Sequence, residues 1–338
     1  MIWGENGSGK TSLLEAIYIL SIGKSFKTHK QSTIIKNGFS DYLIRGDFFS
    51  NGVKNTVGIQ ANLKSKKTIK INGNIISKRK DLIGKNNVVI LSPEDQIITK
   101  GGPKERRIFF DRLFSITNID YLNTLQSFNR ALKQRNALLN SKNIFGEEYY
   151  SPWEEKLSNY AVKLWKLRKK CFYDYTKSLD NVIFEYHKEL ILSVYYDGKV
   201  YEKKDYKKLL KNARERDVFL GRTSEGPHRD NIHVLWGEKN IRECGSQGEH
   251  KIALILLKLA EINLIKNKTG EYPIILLDDV FAKLDLKRSK KLVSYLNSIK
   301  TSGKKPIQTI ITTTDVLNIE KSGLVLETPE IKTHKLGL

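Results

Sequence analysis

Eight residues near the start of the chain, Gly4-Glu5-Asn6-Gly7-Ser8-Gly9-Lys10-Thr11, fit the pattern G-x-x-x-x-G-K-[ST]. Glycines let successive backbone N–H groups curl around an anion. Lys10 can then reach the β- and γ-phosphates of a nucleotide, and the Thr11 hydroxyl can ligate Mg²⁺. Gly4 to Ser12 therefore reads as a phosphate loop for ATP or GTP with Mg²⁺. Such a loop needs a helix behind it, so that the helix N-terminus faces the phosphates. The apolar run from Ser12 to Ile22 supplies one, with Leu13, Leu14, Ile17 and Leu20 expected on one face.

A second group lies far downstream. Pro273 to Leu277 is an apolar run that ends in Asp278 and Asp279, followed by Phe281 to Asp285. A strand that carries a carboxylate out of the core beside a phosphate loop is the other half of a Mg²⁺ site. Asp278 is the candidate ligand. Asp279, one position on, can orient or deprotonate an attacking water. Between the two groups, Ser246-Gln247-Gly248-Glu249 opens a helix from Lys251 to Ile265. Taken alone, this tetrapeptide is a capping box, a hydroxyl paired with an acid three residues on.

The elements that must hold these groups are interrupted. After the first helix come strand-like runs at Tyr42 to Arg45, Val57 to Gln60 and Thr68 to Ile71, the last turning at Asn72-Gly73-Asn74. They predict an antiparallel sheet beside the nucleotide core. Val88 to Leu91 is a short buried strand that stops at Ser92-Pro93-Glu94-Asp95. Helical periodicity then takes over, from about Asp120 to Leu139 and from Trp153 to Leu179, and predicts a helical arm. A last strand is expected at Ile307 to Ile311.

Of the 338 residues, 39% are hydrophobic, which predicts a folded chain rather than a disordered one. Lys and Arg number 59 against 37 Asp and Glu, a net charge of +22 that favours a polyanionic partner. Basic clusters recur at Lys64 to Lys67, Lys78 to Lys80, Lys166 to Lys170 and Lys203 to Lys211. Cys171 and Cys244 give neither a disulfide framework nor a zinc cluster, and the apolar runs fall short of membrane-spanning length. The cytoplasm is the expected compartment, with no membrane partner.

In this order, the phosphate loop, the Ser246 to Glu249 motif, the paired acids and the Leu284-Asp285 pair resemble the ABC-type ATPases. That resemblance implies that Ser246, Gln247, Gly248 and Glu249 address the γ-phosphate held by another subunit, and that Asp285 and Thr313 join the nucleotide site. It becomes specific at Thr223-Ser224-Glu225-Gly226-Pro227-His228-Arg229-Asp230, at Leu91 to Asp95, and at Gly101 through Arg106 and Arg107 to Asp111. With Lys133-Gln134-Arg135-Asn136-Ala137-Leu138-Leu139 and Thr312-Thr313-Thr314-Asp315, the chain resembles the RecF family of bacterial DNA repair ATPases over nearly its whole length. The resemblance implies an α/β fold, an ABC-type P-loop head with a mixed sheet and an antiparallel sheet, and a helical second lobe. Residues 1–115 and 250–338 would form the head, and 116–249 the inserted lobe. It further implies ATP-dependent homodimerisation on double-stranded, gapped or single-stranded DNA, weak DNA-stimulated ATP hydrolysis, and work with RecO and RecR in loading RecA at gaps during replication and repair.

The chain departs from the family pattern in two places. Only Met1, Ile2 and Trp3 precede Gly4, where the family has two strands and a turn, so a truncated or misassigned start and missing adenine contacts are expected. No histidine directly follows the last strand; Thr313 or Thr314 stands in, and a hydroxyl without the charge of an imidazolium implies weak catalysis. Ser92, Glu94, Asp95 or Gln96 can sense the nucleotide. Lys166, Arg168, Lys169, Lys170 and Arg229 are candidate DNA contacts, although Arg229 can equally pair with Asp230 or Glu225. Trp153 and Trp165 read as helix packing, and His228 lacks a second metal ligand at a useful spacing. An ATP-switched DNA clamp is the leading function; a transporter ATPase subunit and a DNA-binding scaffold with an inactive nucleotide site are the alternatives.

Overall fold

A computed structural model describes the chain except residues 29, 51, 64–66, 142–145, 300–306, 327, 330 and 338. The backbone divides into one unit made of Met1–Gln96 with Leu254–Leu338 and a second made of Ile97–Ala253.

The first unit opens with the short strand β1 (Ile2–Gly4) and the helix α1 (Lys10–Ile22). Leu14, Ile19 and Leu20 are buried on α1, whereas Leu13, expected on the same face, is exposed. Four strands follow: β2 (Asp41–Ser50), β3 (Val53–Asn62), β4 (Thr68–Ile71) and β5 (Asn74–Ile76). They form one antiparallel sheet in that order. Val57, Ile59 and Ala61 alternate into the core, as do Ile69 and Ile71, so one face of the sheet is apolar. Strand β6 (Val88–Leu91) is buried at every position and ends in a 3-10 turn over Pro93–Gln96.

The second unit contains α2 (Ile97–Lys100), α3 (Pro103–Thr117), α4 (Ile119–Leu139) and the long helix α5 (Glu147–Tyr186). Pro103 starts α3, where its missing N–H costs nothing, and Asn118 caps α4 by accepting from Tyr121 N at 3.0 Å. After β7 (Leu192–Asp197) come α6 (Lys203–Asn212), α7 (Arg214–Leu220), β8 (Asn231–Trp236), β9 (Lys239–Asn240) and α8 (Ile241–Cys244). Strands β7, β8 and β9 form a small antiparallel sheet that sequence reasoning missed. The boundary falls at Gln96, not at the expected residue 115. Phe110 and Phe114 of α3 pack on Phe172 of α5, with ring centroids at 4.7 and 4.9 Å, and this aromatic packing draws α3 into the second unit.

Helix α9 (Gln247–Thr269) begins in the second unit and continues into the first. The first unit is then completed by β10 (Ile274–Asp278), α10 (Leu286–Ser298), β11 (Thr309–Thr313), α11 (Val316–Lys321) and β12 (His334–Leu336). The five-stranded sheet runs β12-β1-β11-β10-β6, and its neighbouring strands pair in parallel. Strand β10 and the edge strand β6 are apolar on both faces, as a covered parallel sheet requires. The sheet joins distant parts of the chain, and the register sets Asp278 opposite Thr312.

Candidate functional site

The phosphate loop connects β1 to α1. Gly9 caps α1 at φ 92°, a left-handed conformation that glycine adopts without a steric penalty, and no side chain caps this helix start. Orphan N–H groups of the first turn are thus available to an anion. At Gly4 a Cβ would lie 2.2 Å from the Leu336 carbonyl oxygen of β12, so the tight approach of two backbones excludes any side chain. Lys10 Nζ donates to the carbonyls of Gly4 at 2.8 Å and Glu5 at 2.7 Å, which closes the loop on its own cation. The buried Ser8 hydroxyl has no hydrogen-bond partner among the described residues.

Two hydroxyls meet one carboxylate at the end of β10. Thr11 Oγ1 donates to Asp278 Oδ1 at 2.9 Å and Thr312 Oγ1 donates to the same oxygen at 2.7 Å. Asp278 and Thr312 are buried. Asp279 has φ 52°, uncommon for a residue with a side chain, and its N–H donates to the Thr312 carbonyl at 3.1 Å. The left-handed turn ends the strand directly after Asp278, so both acids leave β10 at one corner. A carboxylate with a hydroxyl is the hard-oxygen donor set that Mg²⁺ takes alongside phosphate oxygens. The unpartnered Ser8 hydroxyl and the uncapped start of α1 fit a phosphate chain.

Other expected nucleotide residues of the first unit have local partners. Thr313 Oγ1 donates to the Asp315 carbonyl at 3.1 Å and accepts from Asp315 N at 3.0 Å, which ties its buried hydroxyl into a turn; Thr314 is exposed. Asp285 caps α10 by accepting from Arg288 N at 2.9 Å and pairs with the Arg288 guanidinium at 3.2 Å. Asp95 accepts from Ser92 N at 2.9 Å and pairs with buried Lys258 at 3.1 Å, which makes it an anchor of the turn after β6, while Glu94 is exposed. Thr312, which sequence reasoning did not single out, is the hydroxyl that supports Asp278.

In the second unit Ser246 and Glu249 form the full capping box. Glu249 N donates to Ser246 Oγ at 3.2 Å and Ser246 N donates to Glu249 Oε2 at 2.7 Å. Gln247 accepts from Lys100 Nζ at 2.8 Å. Gly248 follows within the same first turn of α9, and Ser246 itself is exposed.

The expected DNA contacts separate. Lys166, Lys169 and Lys170 are exposed on α5, but Arg168 is only 1% exposed. Its guanidinium donates to Asp230 at 2.8 Å, Asp111 at 2.9 Å, the Pro227 carbonyl at 2.8 Å and the Tyr121 hydroxyl at 3.0 Å. Arg168 is therefore withdrawn as a DNA contact, since its charge and donors are taken inside the unit. Asp230 also accepts from the buried indole of Trp165 at 3.0 Å. Arg229 is exposed and unpaired among the described residues, because Asp230 belongs to Arg168 and Glu225 pairs with Arg216 at 2.9 Å. His228 Nε2 lies 3.0 Å from the Thr223 carbonyl, and burial pushes the ring down to about 4. Of the basic clusters, Lys203 and Lys207 both pair with Glu155, and Lys211 pairs with Glu147. Of the cluster at Lys64 to Lys67, residues 64–66 lie outside the described residues, and Lys67 Nζ donates to the Gly23 carbonyl at 3.1 Å. No described helix is long and apolar enough to cross a membrane.

Comparison with known proteins agrees with this architecture. The family model for the RecF/RecN/SMC N-terminal domain matches residues 1–328. The chain is 35% identical over 317 residues to the DNA replication and repair protein RecF of Clostridioides difficile (strain 630), covering 89% of this chain and 83% of that protein. It is 36% identical over 323 residues to the same-named protein of Leptospira interrogans serogroup Icterohaemorrhagiae serovar Lai (strain 56601), covering 94% and 86%. The solved structure of the recombination mediator protein RecF-ATP in the RecFOR pathway superposes with a TM-score of 0.84 at 30% identity, over 94% of this chain and 86% of that one. An Smc head bound to the C-terminal winged-helix domain of ScpA shares the fold, with a TM-score of 0.51 at 16% identity. With this identity over most of the chain and the same ATPase-head architecture, the chain belongs to the RecF family of DNA replication and repair proteins.

Proposed function

We propose that this chain is an ATP-driven switch that binds DNA and dimerises on it. The observation that carries the proposal is the convergence of Thr11 and Thr312 on Asp278 beside an uncapped, glycine-turned phosphate loop. Residues Gly4 to Ser12 would hold the triphosphate, with Lys10 leaving its loop carbonyls for phosphate oxygens. Thr11 and Asp278 would hold Mg²⁺, which when bound neutralises charge that develops on the transferred phosphoryl group. Asp279 would orient and deprotonate water. Lys10→Ala should lose nucleotide binding, because no other cation of the loop can replace the ammonium.

The exposed start of α9 supports a shared site. Ser246, Gln247, Gly248 and Glu249 would address the γ-phosphate held by a second copy, with Asp285 and Thr313 completing it. The RecF-ATP relative, a recombination mediator of the RecFOR pathway, supports ATP as the nucleotide and RecO and RecR as partners; the outcome would be the loading of recombinase at gaps. Hydrolysis would be slow and stimulated by DNA, and Lys166, Lys169, Lys170 and Arg229 would contact phosphates.

Two point changes with opposite outcomes test the switch. Ser246→Arg should bind ATP as a monomer and fail to dimerise, whereas Asp279→Asn should bind ATP, hydrolyse it poorly and accumulate as dimer. Sedimentation with ATP and Mg²⁺ beside a phosphate-release assay measures both. Normal dimerisation of the Ser246 variant, or parental hydrolysis by the Asp279 variant, would reject the mechanism.

A further inference from the structure

Helix α5 carries an outer face that the packing of the second unit does not use. At roughly 100° per residue, Lys163, Lys166, Lys170, Tyr173, Lys177 and Phe184 fall within about 80° of its circumference. All six are exposed. No Asp or Glu between positions 163 and 184 enters that window; Asp174 and Asp180 flank it on either side. The face runs for about 32 Å along the helix.

Its aromatic members are open to solvent, Tyr173 at 60% and Phe184 at 62%. Lys177 Nζ sits 4.4 Å from the centroid of Tyr173, and Lys188 Nζ, just beyond the helix, sits 4.2 Å from that of Phe184. Each ring thus stands with a cation beside it. Such a stripe differs from an ordinary solvated helix face, which mixes both signs of charge and keeps large rings covered.

We infer that this face of α5 is a track for unpaired nucleic acid, with the lysines on successive phosphates and Tyr173 and Phe184 stacking on exposed bases. The inference rests on the DNA-binding function proposed above and specifies what kind of strand one surface takes. A duplex turns its base faces inward and would leave both rings unused. A single strand can offer a base to each while its backbone follows the cations. An acidic polypeptide would answer the lysines, but it has no flat faces for the rings.

The test uses the full chain and fluorescence anisotropy with a labelled oligothymidylate, a labelled duplex of equal length, and polyglutamate as competitor. The doubly substituted Tyr173→Ala/Phe184→Ala protein should lose about 30-fold or more in affinity for the single strand while its duplex affinity stays within about twofold. Tyr173→Phe/Phe184→Tyr should keep the parental affinity, and thermal melting of all variants should match the parent because the rings lie on the surface. Lys166→Gln/Lys170→Gln/Lys177→Gln should reduce the slope of log affinity against log salt by about 2. The track is overturned if the alanine pair binds oligothymidylate like the parent, if it loses duplex affinity equally, or if polyglutamate displaces the single strand at equal charge. A parent that binds neither strand form would reject the DNA-binding function itself. A parent that binds both, with ring variants unchanged, would reject only the track.

Discussion

Two hydroxyls hold one carboxylate oxygen of buried Asp278, and they separate what the sequence could and could not disclose. The two acids after an apolar strand were legible, as was Thr11 in the phosphate loop. Thr312 was not, because Thr312, Thr313 and Thr314 are chemically identical and only the pleat parity and register of β11 decide which hydroxyl faces β10. Thr313, the residue expected from family resemblance, spends its hydroxyl on Asp315. Thr312→Val keeps the shape and removes the donor. It should cost about 1 kcal/mol of stability and weaken Mg²⁺-dependent nucleotide binding about 10-fold, the usual size for loss of a group that orients a metal ligand. A Mg²⁺ titration of nucleotide binding checks this; an unchanged midpoint would show that Asp278 is held well enough by Thr11 alone.

Among the elements, the helices α4, α5 and α9 and the apolar strands β6 and β10 were legible from periodicity, unlike the sheet of β7, β8 and β9, and the loop from Gly221 to Asp230 shows why a buried cation was not. Arg168 sits in a run of lysines, so composition assigned it to the surface. Helical geometry turns it inward, where its planar fork meets Asp111, Asp230 and the Pro227 carbonyl at once. Arg168→Ala leaves two carboxylates without their cation and should cost about 3–5 kcal/mol in urea denaturation. Lys169→Ala next to it should cost under about 0.5 kcal/mol. Equal costs would mean that the α5 anchor is dispensable.

The same loop should also respond to acid. His228 is held near 4 by burial against an ordinary value of 6.5, with Arg229 and Arg107 acting in the same direction and the Thr223 carbonyl opposing them. As pH falls from about 6.5 toward 4, the unfolded chain takes up a proton that the folded ring refuses. Stability is therefore complete above that window and declines through it, by up to about 3 kcal/mol. His228→Gln should flatten this part of the stability profile. Urea midpoints of parent and variant at neutral pH and near pH 4.5 would show it, and parallel declines would assign the acid sensitivity to other groups.

At the scale of the whole molecule, the interruption of one unit by another was legible because the phosphate loop and the paired acids, which must share a sheet, stand at opposite ends of the chain. The exact border was not, since the aromatic packing of α3 on α5 decides that it falls directly after the turn over Pro93–Gln96 rather than beyond α3. Nor does the net charge of +22 say which cations are available to a polyanion. Lys203 and Lys207 share Glu155, whereas Lys166 and Lys170 stand on an acid-free face. If DNA responds only to the overall field, Lys203→Gln/Lys207→Gln and Lys166→Gln/Lys170→Gln remove equal charge and should weaken binding equally. If phosphates are met by particular lysines, the second pair should lower the salt slope by about 1.4 to 1.8 and the first should barely change it. For about five phosphate contacts, a fourfold rise in salt should lower duplex affinity roughly 500-fold. The two double variants, titrated across that salt range, therefore distinguish local contact from general attraction, and identical slopes would remove α5 from the DNA interface.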